Sequence, residues 1–305
     1  MVWVFLLQLV FNKMKKYILI IFSFIVALSS CDIIEGPYDE QLVIDSVQGP
    51  VRKVLIEDYT GHQCGNCPCA ADSAVSLYNR FKGRVVIVAT HIGFFARTNP
   101  SGKFSYDFKT QTGNELDTYF QIDNVGLPRG LVNRKVFEGN LIMNPTAWGS
   151  ALYSELDKDG VPGIDTSAPP IIIKINQDYN SNSRSVTAGI DIEYNEVGNN
   201  KHHVVFYIVE DSIKNWQLFY PACSPTSANY ETDNYYHRHV LRGSVNGTWG
   251  EQVSASTNIP VGTKITKTYT KVLDPSWNDK HIYLVAFVHD NVTKEVLQVE
   301  EVHLK

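Results

Sequence analysis

The stretch VRKVLIEDYTGHQCGNCPCAADSAVSLYNRFKG, residues 51–83, decides the fold. Its first part, Val51 to Tyr59, has a continuous apolar centre, as a buried strand does. Its last part, Asn66 to Phe81, carries apolar residues at Ala70, Ala74, Val75, Leu77, Tyr78 and Phe81, close to helical spacing, and Gly83 stops it. Cys64-Gly65-Asn66-Cys67 sits where strand turns into helix. A helix N-terminus leaves N–H groups unpaired and is the positive end of the macrodipole. Both effects stabilise a thiolate and lower its pKa to roughly 3.5–7.5. Cys64 is therefore expected to be the exposed attacking sulfur. Cys67, one turn on, is placed to attack the mixed disulfide and release the substrate. Pro68 falls where a missing N–H costs nothing.

Working outward, Arg84 to Thr90 (RVVIVAT) reads as a second buried strand, followed by a loop from His91 to about Tyr106. Residues 108–120 read as helix, weakened at Gly113. Short strands are expected at Leu131 to Asn133 and Lys135 to Phe137. Residues 145–157 form a helix, with Asn144 as candidate N-cap and Pro145 at its first position. The order is βαβ, helix, ββ, helix, and a C-x-x-C opens the first helix. On these features residues 51–157 resemble a thioredoxin fold. Asp58, six residues before Cys64, matches that family's buried acid, and Gly126-Leu127-Pro128 matches its cis-proline. The resemblance implies that Asp58 moves a proton for Cys67. It also implies that Pro128 packs against the dithiol and leaves the Leu127 backbone free for an extended substrate. Gln63 stands where thioredoxins usually carry Trp, and Gly65-Asn66 replaces their Gly-Pro pair.

Residues 158–170 (KDGVPGIDTSAPP) are a Gly/Pro-rich break, read as a linker between domains. Beyond it come candidate strands at 171–177, 185–194, 202–210, 236–242, 264–273, 281–289 and 295–304. Short strands with alternating character suggest an immunoglobulin-like sandwich over residues 171–305. The expected fold class is an α/β thioredoxin-like domain followed by an all-β sandwich domain.

The N-terminus reads as an export signal. Lys13, Lys15 and Lys16 surround Met14, the expected true start, and Tyr17 to Leu28 is almost wholly apolar. That run is too short to span a bilayer and suits a signal h-region. Leu28-Ser29-Ser30-Cys31 then resembles a bacterial lipobox, which makes Cys31 the lipidated residue of a signal spanning residues 1–31. Acyl chains on Cys31 would hold the protein to a membrane, with residues 32–50 as a tether. Outside the cytoplasm disulfides form and persist. The net charge of −5 carries no basic excess, so nucleic acid is not an expected partner. Protein thiols or disulfides are the expected substrates, and no cofactor motif is present.

Glu57-Asp58-Tyr59-Thr60-Gly61-His62-Gln63-Cys64-Gly65-Asn66-Cys67-Pro68, with the lipobox and Tyr236-His237-Arg238-His239-Val240-Leu241-Arg242-Gly243, gives a narrower likeness. The chain resembles the Gram-negative outer-membrane lipoprotein family named for its twenty-eight-kilodalton founder. The resemblance implies a cell-envelope location and a thioredoxin-like plus sandwich architecture. Cys69 is open to resolving intermediates or pairing elsewhere. Cys223 is open to pairing with Cys69, pairing with another chain, or staying free, and the even count of four favours full pairing. His62 reads as an exposed loop residue. His237 and His239 are two apart on one expected strand, where Asp233 or Cys223 would be needed to complete a metal site; packing or surface roles are the expectation. The aromatics Phe94, Phe95, Phe104 and Tyr106 of the loop after the second strand suit either partner recognition or packing. Two functions follow: thiol–disulfide exchange at Cys64 and Cys67, or a binding or structural lipoprotein with an inert staple there.

Overall fold

The computed structural model describes residues 50–81, 83–157 and 168–305. The expected signal with Cys31, almost all of the tether and most of the 158–170 break lie outside the described residues.

Strands β1 (Val54–Thr60) and β2 (Val85–His91) are buried at every position, as strands covered on both faces must be. They pair in parallel from Val54↔Val85 to Thr60↔His91, joined by helix α1 (Cys67–Arg80). Helix α2 (Gln111–Phe120), β3 (Arg129–Val132) and α3 (Pro145–Leu156) follow, and β3 pairs antiparallel with β1. The strand expected at Lys135 to Phe137 does not form. Asn133 and Arg134 take positive φ values of 48° and 51°, which turns the chain off the sheet, and Phe137 makes only an isolated bridge to Asn140.

The second half contains β4 (Ile171–Asn180), β5 (Ser185–Tyr194), β6 (His202–Glu210), β7 (Ile213–Phe219) and β8 (Tyr230–His237). It continues with β9 (Val240–Ser244), β10 (Glu251–Gln252), β11 (Lys264–Val272), β12 (Ile282–Asp290) and β13 (Val296–His303). The α/β part and the β part expected on either side of residues 158–170 share a sheet. Strands from both sides of residues 158–170 make one mixed sheet, ordered β13-β12-β6-β9-β2-β1-β3, with β10 added on β6. The join is β9. It runs parallel to β2 at Ala89↔Val240 and antiparallel to β6. The contact is one pair long, with the Ala89 N–H donating to the His239 carbonyl at 2.7 Å.

A sandwich does exist, with one layer belonging to that shared sheet. The three-stranded sheet β11-β5-β4 turns Ile171, Ile173, Ile190 and Ile192 onto Phe206, Ile208, Leu284 and Ala286. The alternation of β5 in sequence is the alternation of its burial. The opposite face of the large sheet packs Leu55, Val86 and Val88 with Tyr207, Val285 and Phe287 under Leu116 and Phe120 of α2. Helices α1 and α3 cover Val54, Ile56, Val85 and Ile87 with Ala70, Ala74, Trp148 and Leu152.

The expected strand 236–242 is divided. β8 ends at His237, β9 begins at Val240, and His239 between them has φ 52°. β7 was not legible, because IKNWQLF lacks clear alternation. β7 and β8 form a two-stranded ribbon of their own, apart from both larger sheets.

Between the layers lies a fully buried ion pair. Arg134 Nε and Nη2 donate to Glu57 Oε2 and Oε1 at 2.8 and 2.7 Å, and Nη2 also donates to the Tyr207 hydroxyl at 3.3 Å. The guanidinium lies over Phe287, Trp249 and Phe120 at 5.1, 5.6 and 5.7 Å. Burial alone would pull its pKa down, but the Glu57 carboxylate holds it above its ordinary value. Removing one member of such a pair strands the other in a low dielectric, at about 3–5 kcal/mol. Arg134→Ala is expected to lower unfolding free energy by about that amount in urea titration, and Glu57→Leu/Arg134→Met to recover most of it.

Candidate functional site

The loop between β1 and α1 is tightly wound. The Cys64 N–H donates to the Gly61 carbonyl at 2.9 Å and the Cys67 N–H to the Cys64 carbonyl at 3.1 Å. Asn66 is the N-cap residue without a side-chain cap bond, and Pro68 lies in the first turn. Gly61 is needed where it stands, since a Cβ there would sit 2.5 Å from the Phe95 carbonyl carbon. Cys64 and Cys67 are joined in a disulfide with Cα atoms 5.3 Å apart. The pair stands at the mouth of α1, with Cys64 in the loop rather than in the helix.

The expectation of an exposed Cys64 is overturned. Cys64 and Cys67 are each 2% exposed. The cover is the β7–β8 ribbon, residues 213–237, which the sequence did not reveal. Leu218 N–H donates to the His62 carbonyl at 2.9 Å, and Tyr220 N–H to the Gly65 carbonyl at 2.8 Å. Gln217 Nε2 donates to the Cys64 carbonyl at 3.0 Å. The Tyr220 ring lies so close over Gly65 that a Cβ would collide with it. A second disulfide, Cys69–Cys223, fastens the ribbon's tip to α1 with Cα atoms 5.4 Å apart. That resolves the open fates of both cysteines.

Asp58 is 2% exposed, and its Oδ1 has no hydrogen-bond partner among the described residues. Burial pushes its carboxyl up to about 7. The ribbon's Tyr235 phenol is pushed up as well, first by burial and then by the carboxylates of Asp72 and Asp58. The Leu127–Pro128 peptide is cis. The pairing Asp58↔Gly130 and Tyr59↔Arg129 sets the start of β3 beside the end of β1, so Asp58 and Pro128 flank the same strand end.

Next to the ribbon's inner face is a cluster that sequence reasoning missed. Phe108 stands 4.4 Å from His91, 4.4 Å from His237 and 5.6 Å from His62, ring centre to ring centre. His62 is fully buried rather than exposed, and its Nε2 meets the Arg97 carbonyl at 2.9 Å. His237 Nε2 meets the Trp216 carbonyl at 3.2 Å, while neither His91 ring nitrogen has a partner among the described residues. Burial pulls all three below the usual histidine range, His237 to about 3. A neutral, aromatic-packed trio is the result. His239 instead lies tilted against Tyr78, ring centres 5.8 Å apart, and Asp233 is exposed. Among the described residues no group of three or more His, Cys, Asp or Glu is arranged to hold a metal ion. Of the loop aromatics, Phe94 is 59% exposed while Phe104 is buried against His62 and Trp216.

The family model for Outer membrane protein Omp28 matches residues 115–305. The chain belongs to the Omp28 outer membrane protein family. The matched span runs from α2 to the end and so includes the ribbon and Cys223, while the Cys64–Cys67 loop precedes it. Membership makes this a cell-envelope protein of the outer membrane. Among the described residues no helix is long and apolar enough to cross a membrane. HBP35 of Porphyromonas gingivalis is similar in structure at TM-score 0.60 and 17% identity, over 84% of this chain and 76% of that one. At that identity the likeness concerns the fold alone. A domain of the outer membrane lipoprotein Omp28 from Porphyromonas gingivalis matches at 23% identity and TM-score 0.29, over 46% of this chain and 91% of that one. No curated protein sequence matches.

The buried histidines carry a pH signature. His237 folds with a pKa near 3 against 6.5 in an exposed reference, so below pH 6.5 the unfolded chain binds the proton first. Stability is then lost as pH falls from about 6.5 towards 3. Asp58, raised to about 7, acts in the opposite sense: its contribution is present below pH 4 and is lost as pH rises towards 7. A variant isolates one group. Between pH 7.5 and 5 the family member should lose about 2 kcal/mol more stability than its His237→Gln variant, by urea titration at both pH values.

Proposed function

We propose that this outer-membrane protein is a lipoprotein, anchored through Cys31, that performs thiol–disulfide exchange at Cys64 and Cys67. In this reading residues 51–157 act as a thioredoxin-like unit, and the sandwich of residues 171–305 shares its sheet and supplies its cover. The observation that carries the reading is Asp58. It is a buried carboxyl with a free oxygen and a pKa about 7, on the strand that leads into a disulfide loop. A structural staple has no use for a desolvated acid poised to exchange protons near neutral pH, whereas thiol chemistry does.

The steps balance as follows. In the reduced protein the Cys64 thiolate attacks one sulfur of a substrate protein disulfide. That bond breaks, and the departing sulfur takes a proton. Asp58 accepts the Cys67 proton, the Cys67 thiolate attacks the mixed disulfide, and the substrate leaves with its second thiol. Two electrons pass to the substrate, and the Cys64–Cys67 disulfide is restored. Pro128, beside the end of β1, shapes the surface that an extended substrate meets.

The burial of both cysteines favours a second reading, an inert staple within a binding lipoprotein. Insulin reduction by the protein, recycled with excess dithiol, separates the two. Cys64→Ser should abolish turnover, and Asp58→Asn should slow it by about a hundredfold while flattening its rise through pH 7. Turnover that is unaltered in Cys64→Ser leaves the staple as the better account.

A further inference from the structure

The two disulfides differ in what they offer to solvent. Cys64–Cys67 is sealed, each residue 2% exposed. Cys69 is exposed and Cys223 half-buried. The tip that carries Cys223, from Tyr220 to Asn229, is exposed along most of its length. Any reductant from solution meets the outer disulfide first.

That outer disulfide also holds the cover in place. The ribbon pairs with neither large sheet. Its two ends meet where Ser212 and His239 take positive φ values of 58° and 52°, pinned by the His239 N–H on Asp211 Oδ1 at 3.1 Å. Its base is packed through Trp216 and His237 onto Phe104 and Phe108. The tip meets the body through the Tyr220 ring over Gly65. It is fastened by Cys69–Cys223 and by the bonds of Gln217, Leu218 and Tyr220 to the Cys64 loop. A stiff base with a tethered tip is a hinged lid, and the tether is cleavable.

We propose that Cys69–Cys223 is a second redox site, whose substrate is an external dithiol, and that its reduction releases the ribbon and opens Cys64–Cys67 to exchange. The dithiol thiolate attacks the Cys69 sulfur. The bond to Cys223 breaks, and Cys223 leaves as a thiolate and takes a proton. The second thiol of the reductant attacks the mixed disulfide, which frees Cys69 and leaves the reductant as its own disulfide. Two electrons enter the protein. The bonds of Gln217, Leu218 and Tyr220, the Tyr220 ring on Gly65 and the exposed Lys103–Glu231 ion pair then hold the ribbon with no covalent tie. The lid strand bonds to the His62, Cys64 and Gly65 carbonyls, so its release uncovers the sulfurs together with those backbone acceptors.

This inference rests on the exchange function proposed above, but its test does not. The oxidised full chain is titrated with dithiothreitol, and in parallel with reduced thioredoxin, a bulky dithiol. Free thiols are trapped with maleimide and mapped by peptide mass. In the wild-type protein Cys69 and Cys223 should be trapped at reductant levels at least tenfold below those that trap Cys64 and Cys67. In Cys69→Ser/Cys223→Ser, thioredoxin should reduce Cys64–Cys67 at least tenfold faster than in the wild type, and Gln217→Ala should give a smaller gain with both disulfides intact. Trapping of all four cysteines together in the wild type, or Cys64 and Cys67 ahead of the outer pair, overturns the lid. The wild-type series needs no variant, so a misfolded double mutant does not rescue the idea. If the outer pair opens first and exposes the inner pair, yet insulin is never reduced, the lid stands and the exchange function falls. If insulin is reduced while the inner pair is trapped at one rate with and without the outer disulfide, the function stands and the lid falls.

Discussion

The pairing of β9 with the edge of β2 is the constraint on which the rest of the molecule depends. β2 is apolar on both faces and buried at every position, so its free edge cannot be left to water. Its pairing with β9 at Ala89↔Val240 draws the C-terminal strands into the same sheet as the C-x-x-C unit. It also fixes where the chain immediately before β9 must lie. That chain is the β7–β8 ribbon, and the end of β2 is where the disulfide loop begins to be covered. The ribbon's place over the disulfide loop thus goes with how one edge strand is satisfied.

Charge is used sparingly inside this frame, and each buried group does something different. Glu57 and Arg134 are paired bidentately and ringed by aromatics, so their desolvation is offset where they sit. Asp58, the next residue along β1, points to the other face and has no such partner. Neighbours on one strand therefore lie in opposite electrostatic settings, one a locked ion pair and the other a carboxyl held near neutrality. The three histidines around Phe108 resolve their burial a third way, by giving up their charge.

Membership of the Omp28 outer membrane protein family rests on the span from α2 onward, which contains the cover and not the disulfide loop it covers. The two parts nevertheless meet at single atoms, as in the bond from Gln217 to the Cys64 carbonyl. The loop is therefore covered by residues that the family model matches.

Much of the chain was determined locally. Val51 to Tyr59 and Arg84 to Thr90 read as buried strands because each has a continuous apolar centre. The spacing after Cys67 made a helix, and the alternation of β5 set which of its residues turn inward. The burial of Asp58 and the cis bond before Pro128 are what the thioredoxin resemblance implied for those positions. Tertiary structure alone decided that the two halves share a sheet, since strand pairing is set by which edges remain open after folding, and no local pattern records that. It alone decided that His62 is buried and that Cys69 meets Cys223 across 154 residues. And it alone decided that Cys64 is hidden, because the exposure of a loop depends on what a distant ribbon lays over it.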